Sequence, residues 1–188
     1  MKAKESLPEN REELIEMMAK GFEPKFLPFW GHQVSPDGKI TKSCFSQWYP
    51  AVFEINGVEY RTAEHYMMAE KARLFEDPER FEQILGAKSP YQAKKLGRMV
   101  KGYDDQLWKK HRFDIVVKGN IEKFNQNPEL AQYLINTNQR ILVEASPVDR
   151  IWGIGLAADD QRALKPAEWR GPNLLGFALI KAREQIKK

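Results

Sequence analysis

Two charged residues stand where a helix should be apolar. Along Ala63–Phe75, AEHYMMAEKARLF, a helical projection at about 100° per residue puts Met67, Met68, Leu74 and Phe75 on one face. Glu64 and Lys71 fall in the middle of that face, and Thr62, Glu70 and Arg73 fall opposite, where charge is expected. Seven residues separate Glu64 from Lys71, roughly 10 Å along the axis. A carboxylate and an ammonium turned toward a core cost stability unless they are paired or put to use. The spacing allows a buried ion pair, long side chains that reach the rim, or a working site.

Asp149 is a second candidate carboxylate, just ahead of Trp152-Gly153-Ile154-Gly155. That run can bring backbone amides to a phosphate while Trp152 stacks on a base. It can equally be a tight turn needing positive φ, with Asp149 a turn residue or a partner of Arg150. Trp108 has the periodicity of a core residue. Arg98 and Arg112 have phosphate-pairing chemistry but are scattered. Cys44 lacks the context of a nucleophile and reads as a small buried hydrophobe. His32, His65 and His111 are dispersed, so no histidine metal site is expected. No phosphate-binding glycine loop, HExxH or GxSxG pattern occurs.

Asn56-Gly57 separates Phe53–Ile55 from Val58–Tyr60 and predicts a hairpin, since both residues tolerate positive φ. Thr62 can then cap the helix that carries Glu64. Upstream, residues 1–10 are polar and expected to be loose, and Arg11–Lys20 has helical spacing ended by Gly21. Phe26–Trp30 is apolar and extended, and Ser35-Pro36-Asp37-Gly38 is a turn. Downstream, helices are predicted from Asp77-Pro78 through Leu85, from the capping box Ser89–Gln92 to about Arg98, over 104–125 with Gly119 as a weak point, and over 129–136. Ile141–Glu144 reads as a short strand. Ala158–Pro172 is polar and proline-punctuated, and Asn173 can cap a final helix to about Ile186. The fold class is α+β, predominantly helical, with a small hairpin or sheet.

The 188 residues suit one domain with a sizeable core. The net charge of +4 favours anionic ligands, but no dense Lys/Arg block marks a nucleic-acid channel. The single cysteine excludes an internal disulfide and suits a reducing compartment. With no leader-like or membrane-length apolar run, the chain reads as cytoplasmic, with no membrane partner.

FWGH (29–32), SQWYPAVF (46–53), AEHYMMAEKA (63–72), KKLGR (94–98), Trp108 with Arg112, KFNQNPEL (123–130), LVEASPVDRIWGIGL (142–156) and NLLG (173–176) occur in the order seen in the NADAR, or YbiA-like, family. The chain resembles that family from Lys25 to its end, which divides it into a helical extension (1–24) and a NADAR/YbiA-like domain (25–188). The resemblance implies cleavage of N-glycosidic bonds to ribose. The substrates it suggests are phosphoribosylamino-pyrimidine intermediates of riboflavin synthesis or, alternatively, ADP-ribose on guanine in nucleic acid. A non-catalytic NAD or ADP-ribose-binding module is a further alternative.

Matched residue by residue, the resemblance assigns Glu64, Asp149 and Trp108 to catalysis. It leaves Lys71, Trp30, Gly31, Trp152, Gly153, Arg98, Arg112 and Asn173 as substrate-binding candidates. The expected partner is a small phosphoribosyl or ADP-ribosyl substrate, with ADP-ribosylated nucleic acid as the other possibility. No metal or redox cofactor is expected. Two departures bear on substrate choice: Ile154 stands where some members carry an acid, and Ala157–Gly171 is longer than in short members.

Overall fold

The computed structural model describes residues 6–186, in which seven helices surround two two-stranded sheets. The expected fold class holds: the chain is α+β and mostly helical. Residues 1–5 of the stretch expected to be loose lie outside the described residues. Ser6–Asn10 is not loose: Pro8 is buried and Leu7 packs on the core. Asn10 caps α1 (Arg11–Ala19), its Oδ1 accepting the Glu13 amide at 2.8 Å. Gly21, at φ +98°, ends that helix. Leu14 of α1 is fully buried, and Arg11 donates to the carbonyls of Pro166 (2.8 Å) and Ala167 (3.1 Å). The extension therefore braces the proline-punctuated segment, which forms two short 3-10 turns.

β1 (Phe26–Phe29) and β4 (Ile141–Glu144) pair in parallel, Phe26 beside Ile141 and Phe29 beside Glu144. Pro28 is tolerated because each strand of a two-stranded sheet has a free edge. β2 (Phe53–Ile55) and β3 (Val58–Tyr60) form the predicted hairpin, with Asn56 at φ 53° and Gly57 at φ 78°. Both turn residues are left-handed, the geometry that matches strand twist.

Thr62 caps α2 (Ala63–Leu74) through the His65 amide. α3 (Pro78–Leu85), α4 (Pro90–Gly97) and α5 (Asp105–Asn125) all pack on α2. The amphipathic expectation for α2 is thereby corrected. Thr62, assigned to the solvent side, is buried, and so is nearly every residue through Ala69, because helices cover more than one face. Glu70 and Arg73 do keep to the outside, paired at 3.2 Å. In the capping box, Ser89 accepts the Gln92 amide, but the Gln92 side chain accepts from Lys88 rather than Ser89.

α6 (Pro128–Ile135) and α7 (Leu174–Gln185) complete the core, with α7 lying between β4 and α5. Gly119, read as a weak point in α5, is a point of contact. A Cβ there would stand 2.4 Å from the Tyr66 ring. Cys44 is buried and its thiol is pushed up to about 12 by burial, which fits a packing role and not a nucleophile.

Candidate active site

β1 and β4 point their C-terminal ends into a cleft of about 980 Å³. Parallel strands deliver ligand-facing loops at that end. Trp30, Gly31 and His32 follow β1, while Glu144 ends β4 and leads to Ser146, Asp149 and Trp152. The first turn of α2 supplies Glu64, with Met67, Met68 and Lys71 behind it. α4 and its cap add Lys94 and Arg98, α5 adds Trp108, and the segment before the hairpin adds Gln47 and Trp48. Trp108 keeps both proposed characters, 7% exposed yet lining the cleft.

Glu64 is 3% exposed, and its Oε1 has no hydrogen-bond partner. Burial raises its carboxyl to about 7, Lys94, the Trp48 side chain and Arg98 oppose the rise, and Asp149 adds to it. Its amide donates to the Gln47 carbonyl at 2.9 Å, which fastens the helix start to the Trp48 segment. Glu64 and Lys71 are not an ion pair among the described residues. The Lys71 Nζ instead lies 4.2 Å from the Tyr103 ring centre and 5.7 Å from that of Trp108. Burial and then Arg98 lower the Lys71 pKa.

Asp149 is anchored by its own loop. Its Oδ1 accepts the amides of Ile151 and Trp152, both at 2.8 Å, and of Gly153 at 3.5 Å. The Ile154 amide donates to the Glu144 carbonyl at 3.0 Å. A Cβ on Gly153 would meet that carbonyl at 2.8 Å, and Gly155 sits at φ +67°. The glycine run is therefore a packed turn in which the amides of Trp152, Gly153 and Ile154 are already engaged, which corrects the idea that these cradle a phosphate. Trp152 alone of that run lines the cleft.

Of the residues singled out in the sequence, Glu64, Asp149, Trp108, Lys71, Trp30, Gly31, Trp152 and Arg98 converge on the cleft. Gly153, Arg112 and Asn173 do not line it. Arg112 is half-buried on α5, outside the lining. Asn173 is fully buried at φ 57° and makes no side-chain cap to α7. Its Oδ1 accepts the Glu144 amide and its Nδ2 donates to the Leu142 carbonyl, both at 2.9 Å, so it clamps β4.

Among the cleft residues that were not site candidates from sequence are Glu144, Lys94 and Trp48. Burial pushes the Glu144 carboxyl up to about 8, Asp149 and Glu64 reinforce the rise, and Lys94 opposes it. The available signal for Glu144 was an ionisable residue closing an apolar strand. Lys94 shares a helix face with Arg98 at four-residue spacing. Its Nζ lies 5.8 Å from the Trp48 ring centre.

The NADAR domain profile matches residues 28–187. The chain belongs to the NADAR family. N-glycosidase R617 of Acanthamoeba polyphaga mimivirus is 47% identical over 146 residues, 75% of this chain and 86% of the viral protein. The chloroplastic riboflavin biosynthesis protein PYRR of Zea mays is 33% identical over 132 residues, 66% of this chain but 19% of that longer protein. The NMR structure of the E. coli protein YbiA superposes with a TM-score of 0.68 at 27% identity, covering 87% of this chain and 86% of the other. The NADAR match takes in every cleft residue named above, and α1 precedes it.

Proposed function

We propose that this NADAR cleft hydrolyses the ribosyl C1′–N bond of a phosphoribosylamino-pyrimidine. That the protein is an enzyme acting on N-glycosyl bonds follows from its family and from its likeness to an N-glycosidase. The pyrimidine substrate is the finer step, and the riboflavin biosynthesis protein among the relatives supports it. The observation that carries the reading is Glu64: a buried carboxyl, one oxygen unpartnered, on the floor of a cleft lined by four tryptophans and by Lys71, Lys94 and Arg98.

Breaking the bond develops positive charge on the sugar. The ionised Glu64 stabilises that charge and takes a proton from the attacking water, as carboxylates do in glycoside hydrolysis. Asp149, rigid through its three amide contacts, orients the ribose. Trp108 stacks on the base, and Lys71 or Arg98 holds the phosphate. The test is release of ribose 5-phosphate from the phosphoribosylamino-pyrimidine by the purified protein. Glu64→Gln should lower turnover by a factor of ~10²–10⁴. Unchanged turnover in the folded variant would remove Glu64 from this role.

The size of the cleft favours one second reading. At about 980 Å³ it lies near the top of the usual ligand-site range, ~300–1,000 Å³. An ADP-ribosyl group on guanine would fill more of it. Release of ADP-ribose from a modified oligonucleotide, with none of ribose 5-phosphate from the pyrimidine, would select that substrate.

A further inference from the structure

We infer that Glu144 is the general acid of this site, the group that hands a proton to the departing nitrogen. The inference rests on the N-glycosidase reading and extends it to a residue that reading does not use. Glu144 lines the cleft at the C-terminal end of β4. Its backbone is held from two sides: the amide donates to Asn173 Oδ1 at 2.9 Å, and the carbonyl accepts the Ile154 amide at 3.0 Å. The side chain thus leaves a fixed point. Its Oε2 is shielded from solvent and has no hydrogen-bond partner.

A dry, unpartnered carboxylate oxygen is costly, whereas the same oxygen carrying a proton is a donor awaiting an acceptor. The surroundings decide which of the two glutamates, the buried Glu64 or the half-buried Glu144, keeps its proton. Lys94, Trp48 and Arg98 all favour ionised Glu64. Glu144 has Lys94 alone in its favour and faces two other carboxylates, Asp149 and Glu64. Like charges so placed cannot all ionise together, so Glu64 loses its proton first and Glu144 retains one. Burial raises both carboxyls, and Glu144 is raised further by two neighbouring carboxylates where Glu64 is raised further by one. Among the described residues no three such side chains are spaced to hold a metal ion.

The step balances. The C1′–N bond breaks with its electron pair leaving on nitrogen, which takes the Glu144 proton and departs as the amine. Water forms the new bond to C1′ and gives its proton to Glu64. Solvent then returns a proton to Glu144 and removes one from Glu64.

Two substrates test this: the phosphoribosylamino-pyrimidine, whose nitrogen needs a proton to leave, and 4-nitrophenyl β-ribofuranoside 5-phosphate, whose phenolate does not. Glu144→Gln should slow the first by ~10²–10⁴ and the second by less than tenfold. Glu64→Gln should slow both. Retained activity on the nitrophenyl riboside shows that the Glu144 variant is folded. Equal slowing of both substrates by Glu144→Gln, or of neither, overturns the acid assignment and leaves the N-glycosidase reading standing. A wild-type protein that cleaves neither substrate overturns the underlying reading instead.

Discussion

Glu64 and Lys123 are both buried charges, and the chain treats them in opposite ways. Lys123 is 0% exposed, yet its Nζ donates to the carbonyls of Cys44 at 2.7 Å and Ser46 at 2.9 Å. Burial lowers its pKa to about 8. Its contacts rivet α5 to the segment that carries Trp48, and Asn120 adds a bond to Gln47 at 2.8 Å one turn earlier. Glu64 has an unpartnered oxygen and a cleft in front of it. Burial alone does not separate structure from function here. What separates them is whether the protein itself completes the hydrogen bonds of the charged group.

The largest test of that contrast is Glu64→Gln. Activity should fall by ~10²–10⁴ while stability holds or rises, because an isosteric amide removes a buried charge. A large loss of stability would make Glu64 a structural residue like Lys123. The pH dependence follows from the same carboxyl. Its folded pKa, about 7, lies above its ordinary 4.5, so between those values the folded state holds more protons than the unfolded state. The destabilisation is absent below pH 4.5, grows as pH rises, and is complete above 7. Denaturant midpoints of wild type and Glu64→Gln should therefore separate in the variant's favour as pH rises from 5 to 8. Wild-type kcat/KM should climb from pH 5 along an acid limb near pH 7, because the ionised form is the working base, and fall at higher pH as Glu144 loses its proton. A flat profile would remove Glu64 as the base.

Lys123→Ala should reverse the pattern. It strips the buried Cys44 carbonyl of its lysine donor, leaves the Ser46 carbonyl only the Tyr49 amide, and opens a cavity, at a combined cost of about 2–5 kcal/mol. Thermal melting should show the loss directly. Turnover measured on the fraction still folded at low temperature should fall far less than in Glu64→Gln. A hundredfold loss of turnover in folded Lys123→Ala would place the lysine with the catalytic groups and erase the distinction.

What the sequence reveals of these two regions follows how local their causes are. The hairpin at Asn56-Gly57, the caps at Thr62, Asp77 and Ser89, and the inward face carrying Glu64 all depend on neighbours within a few residues, and all are legible. The pairing of β1 with β4 joins strands far apart in the chain, and no local pattern announces it. Glu144 looks like the polar end of a strand, because the carboxylates that reinforce its raised pKa, Asp149 and Glu64, come from a later loop and from α2. Asn173 has the composition of a helix cap, but its side chain is taken by β4. Lys123 lies within a family motif, yet only the arrival of the 44–46 carbonyls shows what holds it. Residues completed by distant backbone are the ones that sequence reading misplaces.

The contact between Gly119 and Tyr66 offers the finest test, because it sets the distance between the two regions. Tyr66 lies two residues after Glu64, and Gly119 lies one turn before Lys123. Alanine normally favours a helix interior over glycine by up to about 1 kcal/mol. Here its Cβ would stand 2.4 Å from Tyr66 Cδ1 and 2.8 Å from Cε1. The ring is 1% exposed and packed edge-on against Tyr60 and Phe53, so it has nowhere to turn. Overpacking of this kind costs about 1–3 kcal/mol, which outweighs the helix gain. Gly119→Ala should therefore lower the denaturant midpoint. Relief of the clash by moving α2 away from α5 would shift Glu64 relative to Trp108, and turnover would fall along with stability. Relief within α5 would leave turnover intact. A more stable Gly119→Ala protein would show that the close approach of α2 to α5 is not what fixes the site.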